Sequence, residues 1–300
     1  MREDTAGEAA LAEVLERMPL RVQRVLVRLL HRWPGRVALR SAASCIRIEV
    51  FDRSMTIAAQ FFTSVFPILI LLASILGAAD SGAIADAVDM PDESREVLDE
   101  ALEQAGGSTF GVVGALIVLA SATSLSRALT RAFAAIWLLP RPKSSLRSAW
   151  RWLAVVVSLA LSLVVVRALS QYAAAVPPSG VWQRVVALCL DTAIMVLVPW
   201  LLLSGAVGLR RLVPGALLFA AVMLAVRPAS ALWLPRALDV SAERYGSIGV
   251  AFTYLAWLYV VAFCVLVTAV LGQVLAMDPG WLGRRIRGDR EQEEARVEVA

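Results

Sequence analysis

The sequence predicts an all-α integral membrane protein: a six-transmembrane-helix bundle with an N-terminal cytoplasmic amphipathic helix. Three observations carry this reading. Hydrophobic residues fill 59% of the 300 positions and charged residues 18%, with a mean hydropathy of +0.69, whereas an ordinary soluble domain carries about 25% charge. The apolar residues gather in runs long enough to cross a bilayer, which takes about 20 residues at about 1.5 Å each. The basic residues gather in alternate loops, as a multi-pass chain obeying the positive-inside rule requires.

Residues 1–55 form a basic cytoplasmic N-terminal region. Its first stretch, MREDTAGEAALAEVLERM, carries acids and no apolar core. It therefore lacks the pattern of a cleavable signal peptide, and an internal span must direct insertion. In RMPLRVQRVLVRLLHRW, Val22, Val25, Leu26, Leu29 and Trp33 recur at helical spacing, while Arg17, Arg21, Arg24 and Arg28 make another face. This pattern fits a helix lying on anionic inner-leaflet lipids, and fits equally a cytosolic helix capping the bundle.

The apolar runs place six spans at about 56–79, 110–136, 149–170, 182–204, 212–234 and 247–277. An even number returns both termini to one side. The loops say which side. Arginines before the first span, Arg127 to Arg151 between the second and third, Arg210 and Arg211 between the fourth and fifth, and Arg284 to Arg290 after the sixth all fall on one face. That face is cytoplasmic. The opposite loops hold the acidic stretch 80–109, an almost uncharged turn around AAAVPPSG, and the nearly balanced PRALDVSAERYG. The localisation that follows is the bacterial cytoplasmic (inner) membrane, multi-pass, with both termini cytoplasmic.

Within 80–109, PDESREVLDEALEQAGG sets Val97, Leu98, Ala101 and Leu102 against a face of acids and stops at Gly106-Gly107, the pattern of a short amphipathic helix over the bundle mouth. The acids read as a solvated face. Residues 278–300, ending RGDREQEEARVEVA, are charged enough to form a disordered cytoplasmic tail. The basic pI of about 9.3 thus records topology, and nucleic acid is not an expected partner.

Membrane helices associate where small side chains allow close approach. In the second span Ala120, Ser124, Ala128 and Ala132 follow one another at intervals of a helical turn, so this stripe is expected to face another helix. The fifth span offers Ala221, Ala225 and Ala229 in the same register, with Ala216 and Ala220 beside them. Pro67, Pro199, Pro214 and Pro228 fall in or at the ends of spans and are expected to bend them.

Asp191 stands in the apolar run ALCLDTAIMVLVPW. Counting from the outer ends of the spans, Asp191 lies about 13 Å deep, Arg227 about 10 Å and Arg167 about 5 Å. A lone charge at such depth costs at least about 2.5–3.5 kcal/mol. The expected remedy is an Asp191–Arg227 ion pair with Arg167 nearby. Two alternatives stay open at this stage: Arg227 reaching the headgroups, and Asp191 protonated or bonded to the hydroxyl of Thr192.

Catalysis requires a constellation that the chain does not display. Its one histidine, His31, lies in the arginine-rich helix, and Cys45, Cys189 and Cys264 are expected as free thiols. There is no phosphate-binding glycine loop, nucleophile elbow or Cys-x-x-Cys pair. No enzyme, catalytic residue, metal or cofactor is expected.

Several stretches together resemble the YihY/BrkB family of bacterial inner-membrane proteins. They are SVFPILILLASILG (64–77), SATSLSRALTRAFAAIW (121–137) with RPKSSLR (141–147), LVPGALLFAAVMLAV (212–226), and YGSIGVAFTYLAWLYVVAFCVLVTAVLGQVLA (245–276). The landmarks are Tyr245-Gly246-Ser247 and Trp257-Leu258-Tyr259. Departures are Ala59-Gln60, where the family carries an aromatic pair, and Val270, where it often carries an acid. The resemblance implies six spans and a role in envelope integrity, with transport or lipid handling suspected. It also implies an older label, tRNA-processing ribonuclease, which the missing metal ligands argue against. The other reading is a non-transporting scaffold that binds envelope partners.

Overall fold

The structure is a computed structural model that describes residues 33–76, 108–140 and 181–288. The helix expected around Arg17, Arg21, Arg24 and Arg28, the external loop up to residue 107, the third span with Arg167, and the tail beyond 288 lie outside the described residues. Helices follow in the order α1 (Trp33–Arg47), α2 (Val50–Leu76), α3 (Ser108–Ile136), α4 (Val181–Leu202), α5 (Leu209–Ala276) and α6 (Trp281–Arg287), with no strand among the described residues.

α1 and α2 meet at a tight break. Glu49 takes φ 54° there, and Ile48 and Val50 on either side are both buried. Arg53, in the first turns of α2, donates through Nε to the Ile48 carbonyl at 2.6 Å and through Nη1 to the Arg131 carbonyl of α3 at 3.4 Å. One guanidinium thus satisfies a carbonyl orphaned at the end of α1 and ties α2 to α3. The helix begins ahead of residue 56 because Asp52 and Arg53 belong to its first turns, although no apolar window admits them.

α5 is a hairpin of two helical arms. Ser241 and Thr253 share a hydroxyl–hydroxyl bond of 2.7 Å although 12 positions apart, a separation of about 18 Å along a straight helix. The reversal sits at Gly246, with φ 62° and ψ −150°. That region is essentially closed to a residue with a Cβ, so the chain can turn there because the side chain is absent. The first arm includes the predicted fifth span and the second the predicted sixth, with helix continuing through PRALDVSAERYG to Tyr245.

The arms close on each other at Gly215 and Gly272. A Cβ built on Gly272 would overlap the backbone N and Cα of Gly215, and one on Gly215 would lie 3.1 Å from the Thr268 carbonyl and 3.4 Å from the Cα of Gly272. Around this crossing the core gathers Leu125, Leu129, Phe133 and Ile136 of α3, Val198 and Leu202 of α4, and Leu266 and Val270 of α5. Phe51 of α2 stacks on Phe263 of the second arm at 5.4 Å between ring centroids.

Two expectations are corrected. In the fifth span Ala216 and Ala220 are buried, while Ala221, Ala225 and Ala229 face outward. Small residues occur on both sides of this helix, and the glycine crossing at 215 selects which side packs. The charged C-terminal segment is not disordered from its start either: Trp281–Arg287 is helical, and α6 packs on α5.

Candidate functional site: an ion pair between α4 and α5

α4 runs into α5 through the turn Leu203–Gly208, where Ser204 and Gly205 take positive φ. The two helices then lie antiparallel. Met195 of α4 packs in one cluster with Ala216, Phe219 and Met223 of α5. One turn beyond Met195 on the same face comes Asp191, and one turn beyond Met223 comes Arg227. The packing of four apolar side chains therefore sets the two charges side by side.

Arg227 Nη2 donates to Asp191 Oδ1 at 2.6 Å. The carboxylate is buried, whereas the guanidinium side chain is 47% exposed, so the pair opens on its cationic side. Thr192 donates instead to the Leu188 carbonyl at 2.7 Å, which takes its hydroxyl away from Asp191. Ser230 donates to the Arg227 carbonyl at 2.7 Å, engaging the backbone of the residue just before Pro228. Arg167 lies outside the described residues.

The second-span stripe divides along its length. Ala128 and Ala132 are buried, Ser124 is half-buried and donates to the side-chain oxygen of Gln60 on α2, and Ala120 is exposed. Gln60 occupies one of the two positions where the sequence departs from an aromatic pair. Its amide gives α2 and α3 a polar contact that an aromatic ring would not supply.

A second polar node went unread in the sequence. Asp278, buried where α5 ends, accepts from the indole N–H of Trp33 on α1 at 3.1 Å and from the Gly280 backbone N–H at 3.2 Å, with Arg40 Nη1 3.9 Å away. Arg287 closes the node by donating to the carbonyls of Ala276 at 2.7 Å and Asp278 at 3.2 Å. The available signal was an acid directly followed by Pro-Gly at the end of an apolar run, a helix-stop pattern.

Between α3, α4 and α5 lies a recess of about 10 Å³ lined by Phe133, Trp137, Met195, Pro199, Arg211 and Gly215 among others, the room a single water needs. Among the described residues no three His, Cys, Asp or Glu side chains come together where they could hold a metal ion.

Among the described residues two helices, α4 from Arg184 and α5, are long and apolar enough to cross a membrane. Comparison with protein families matches virulence factor BrkB over residues 44–290. The chain belongs to the BrkB family. Comparisons with curated proteins and with solved structures gave no match. The match takes in α2 to α6 and only the last turn of α1, so the ion pair and Asp278 lie within the BrkB region, while Trp33 and Arg40 precede it. Together with the apolar helices it makes this an all-α membrane protein of the BrkB family. The landmark Tyr245-Gly246-Ser247 is the hairpin reversal itself. Val270 is buried at 1% exposure in the core of this BrkB-family chain, where an unpaired carboxylate would be costly.

Proposed function

We propose that this BrkB-family protein spans the bacterial cytoplasmic membrane six times with both termini inside, and moves an anionic solute or lipid headgroup across it in support of envelope integrity. The observation that supports this is the Asp191–Arg227 pair within apolar helices, buried on the acid side and open on the basic side. Intramembrane charges are costly to keep, and their usual return is a substrate or ion path. A guanidinium has five N–H donors in a planar fork, so contact with one oxygen of Asp191 leaves it able to engage a phosphate or carboxylate. The arriving anion competes with Asp191 for Arg227, and Asp191 reclaims the arginine on release. The role requires no bond-breaking chemistry, and we read the protein as a non-enzyme.

The test is movement of a fluorescent anionic phospholipid across vesicles that contain the purified protein. Wild type is expected to exceed protein-free vesicles, and Arg227→Gln to lose at least about tenfold, as removal of a charged binding partner does. Movement equal to protein-free vesicles ends the lipid reading, and uptake of a labelled organic anion into the same vesicles judges the solute. Topology is judged separately, by reaction of single cysteines at either terminus with an impermeant reagent in intact cells. Labelling from outside rejects the orientation.

A scaffold that binds envelope partners is the second reading. It is favoured by the backbone contact of Gly215 with Gly272, which packs the two arms of α5 without a gap at that level. Under this reading the ion pair pins α4 to α5 and the vesicle assay shows no movement.

A further inference from the structure

We infer that α6 and the first turn of α5 form a binding site for the phosphate of an anionic phospholipid headgroup. Arg284 and Arg285 on α6 and Arg210 on α5 are all exposed. Arg210 reaches the end of α6: a Cβ built on Gly288, the C-cap one turn beyond Arg284, would lie 3.3 Å from Arg210 Nη1. Trp281, 64% exposed, lies under Arg285, whose Cζ is 5.8 Å from the ring centroid. An exposed indole beside arginines, directly after an apolar helix arm, is the arrangement found at the headgroup level of a bilayer.

Among the described residues no acid pairs with Arg210, Arg284 or Arg285. Asp278 is buried and turned inward to Trp33 and the Gly280 N–H. Arg287 is committed to the Ala276 and Asp278 carbonyls and fixes α6 against the end of α5. Arg284, Arg285 and Arg210 therefore stand on a rigid support. Guanidinium forks match a phosphate in pairs, and the indole packs against the glycerol and upper acyl chain.

The site rests on the reading that this end of the bundle lies at a membrane surface, but the test is independent of orientation. The detergent-solubilised full chain is offered equimolar phosphatidylglycerol and phosphatidylcholine, and retained lipid is counted by native mass spectrometry. Wild type is expected to retain phosphatidylglycerol in preference. Arg210→Gln, Arg284→Gln and Arg285→Gln are expected to lower that preference about fivefold each, while lysine at the same positions keeps most of it. Inorganic phosphate is expected to lower retention no more than sodium chloride of equal ionic strength, because the lipid is also held through its apolar part. No preference in wild type, full preference in the triple glutamine variant, or displacement by inorganic phosphate beyond that of sodium chloride at equal ionic strength overturns the site. Should the triple variant aggregate, sodium chloride is titrated against wild type: the preference must fall as salt rises, and a flat response overturns the site equally. The cysteine labelling described above judges the orientation by itself.

Discussion

The indole N–H of Trp33 donates to Asp278 Oδ2 at 3.1 Å across 245 positions of the chain. The contact holds α1 against the far end of α5, and Asp278 also receives the Gly280 N–H. Asp278→Ala removes the acceptor from two part-buried donors, Trp33 being 43% exposed. The expected cost is about 0.5–1.5 kcal/mol. Hydrogen exchange over 33–47 is expected to quicken by more than that over α3. Equal protection of α1 in wild type and variant would show that the node does not hold it.

Gly215 and Gly272 define the closest approach of the two α5 arms, and the geometry ranks their substitutions. A Cβ at position 272 meets the backbone of Gly215, which cannot swing aside; at position 215 the nearest atom is the Thr268 carbonyl at 3.1 Å. Gly272→Ala is therefore expected to cost about 1–3 kcal/mol through overpacking, and Gly215→Ala less. The midpoint of thermal unfolding in detergent gives the order. The reverse order rejects the crossing.

Gly246 isolates backbone strain from crowding, since a Cβ there meets nothing within 4 Å, yet φ is +62°. Gly246→Ala is expected to cost about 1–3 kcal/mol from strain alone. Gly208 is the control: it too has open space, and its φ of −62° and ψ of 141° suit any residue. Gly208→Ala is expected to leave the unfolding midpoint unchanged. If the two substitutions behave alike, the reversal does not depend on the left-handed glycine.

Much of this fold is legible in sequence because hydropathy reports what faces lipid. The same signal is blind to where a helix ends. PRALDVSAERYG reads as a loop because its charges stop the apolar run, while its residues continue as helix to Tyr245. Trp281–Arg287 is hidden for the same reason, although Trp281 and Arg285 at one-turn spacing carry the helical contact. Asp191 and Arg227 could be matched because depth follows directly from counting residues in spans. Which alanines of the fifth span pack could not be read, because burial there follows the contact of Gly215 with Gly272 on the other arm of α5, distant in sequence.

Cys45 lies on α1, half-buried, and burial pushes its thiol above the ordinary range. The thiolate is the reactive form. A raised value means less thiolate at a given pH, so alkylation is expected to be slower in the folded chain than in the unfolded one. The difference narrows as pH climbs past the folded value. In a Cys189→Ser, Cys264→Ser background, iodoacetamide labelling before and after unfolding in dodecyl sulfate measures it. Equal rates at neutral pH would place Cys45 in solvent.

The Asp191–Arg227 pair is best tested as a cycle, because each partner's removal has two effects. Arg227→Gln leaves a buried carboxylate with no counter-charge, whereas Asp191→Asn leaves a guanidinium that is already 47% exposed and able to reach water or headgroups. The first is expected to cost about 3–5 kcal/mol and the second distinctly less. In the double variant Asp191→Asn, Arg227→Gln neither charge remains, so its stability is expected to recover toward that of Asp191→Asn alone. Thermal unfolding of the four proteins in one detergent gives the coupling. Additive losses would mean that the two side chains do not act on each other, and would remove the support beneath both a transport path and a structural pin at this site.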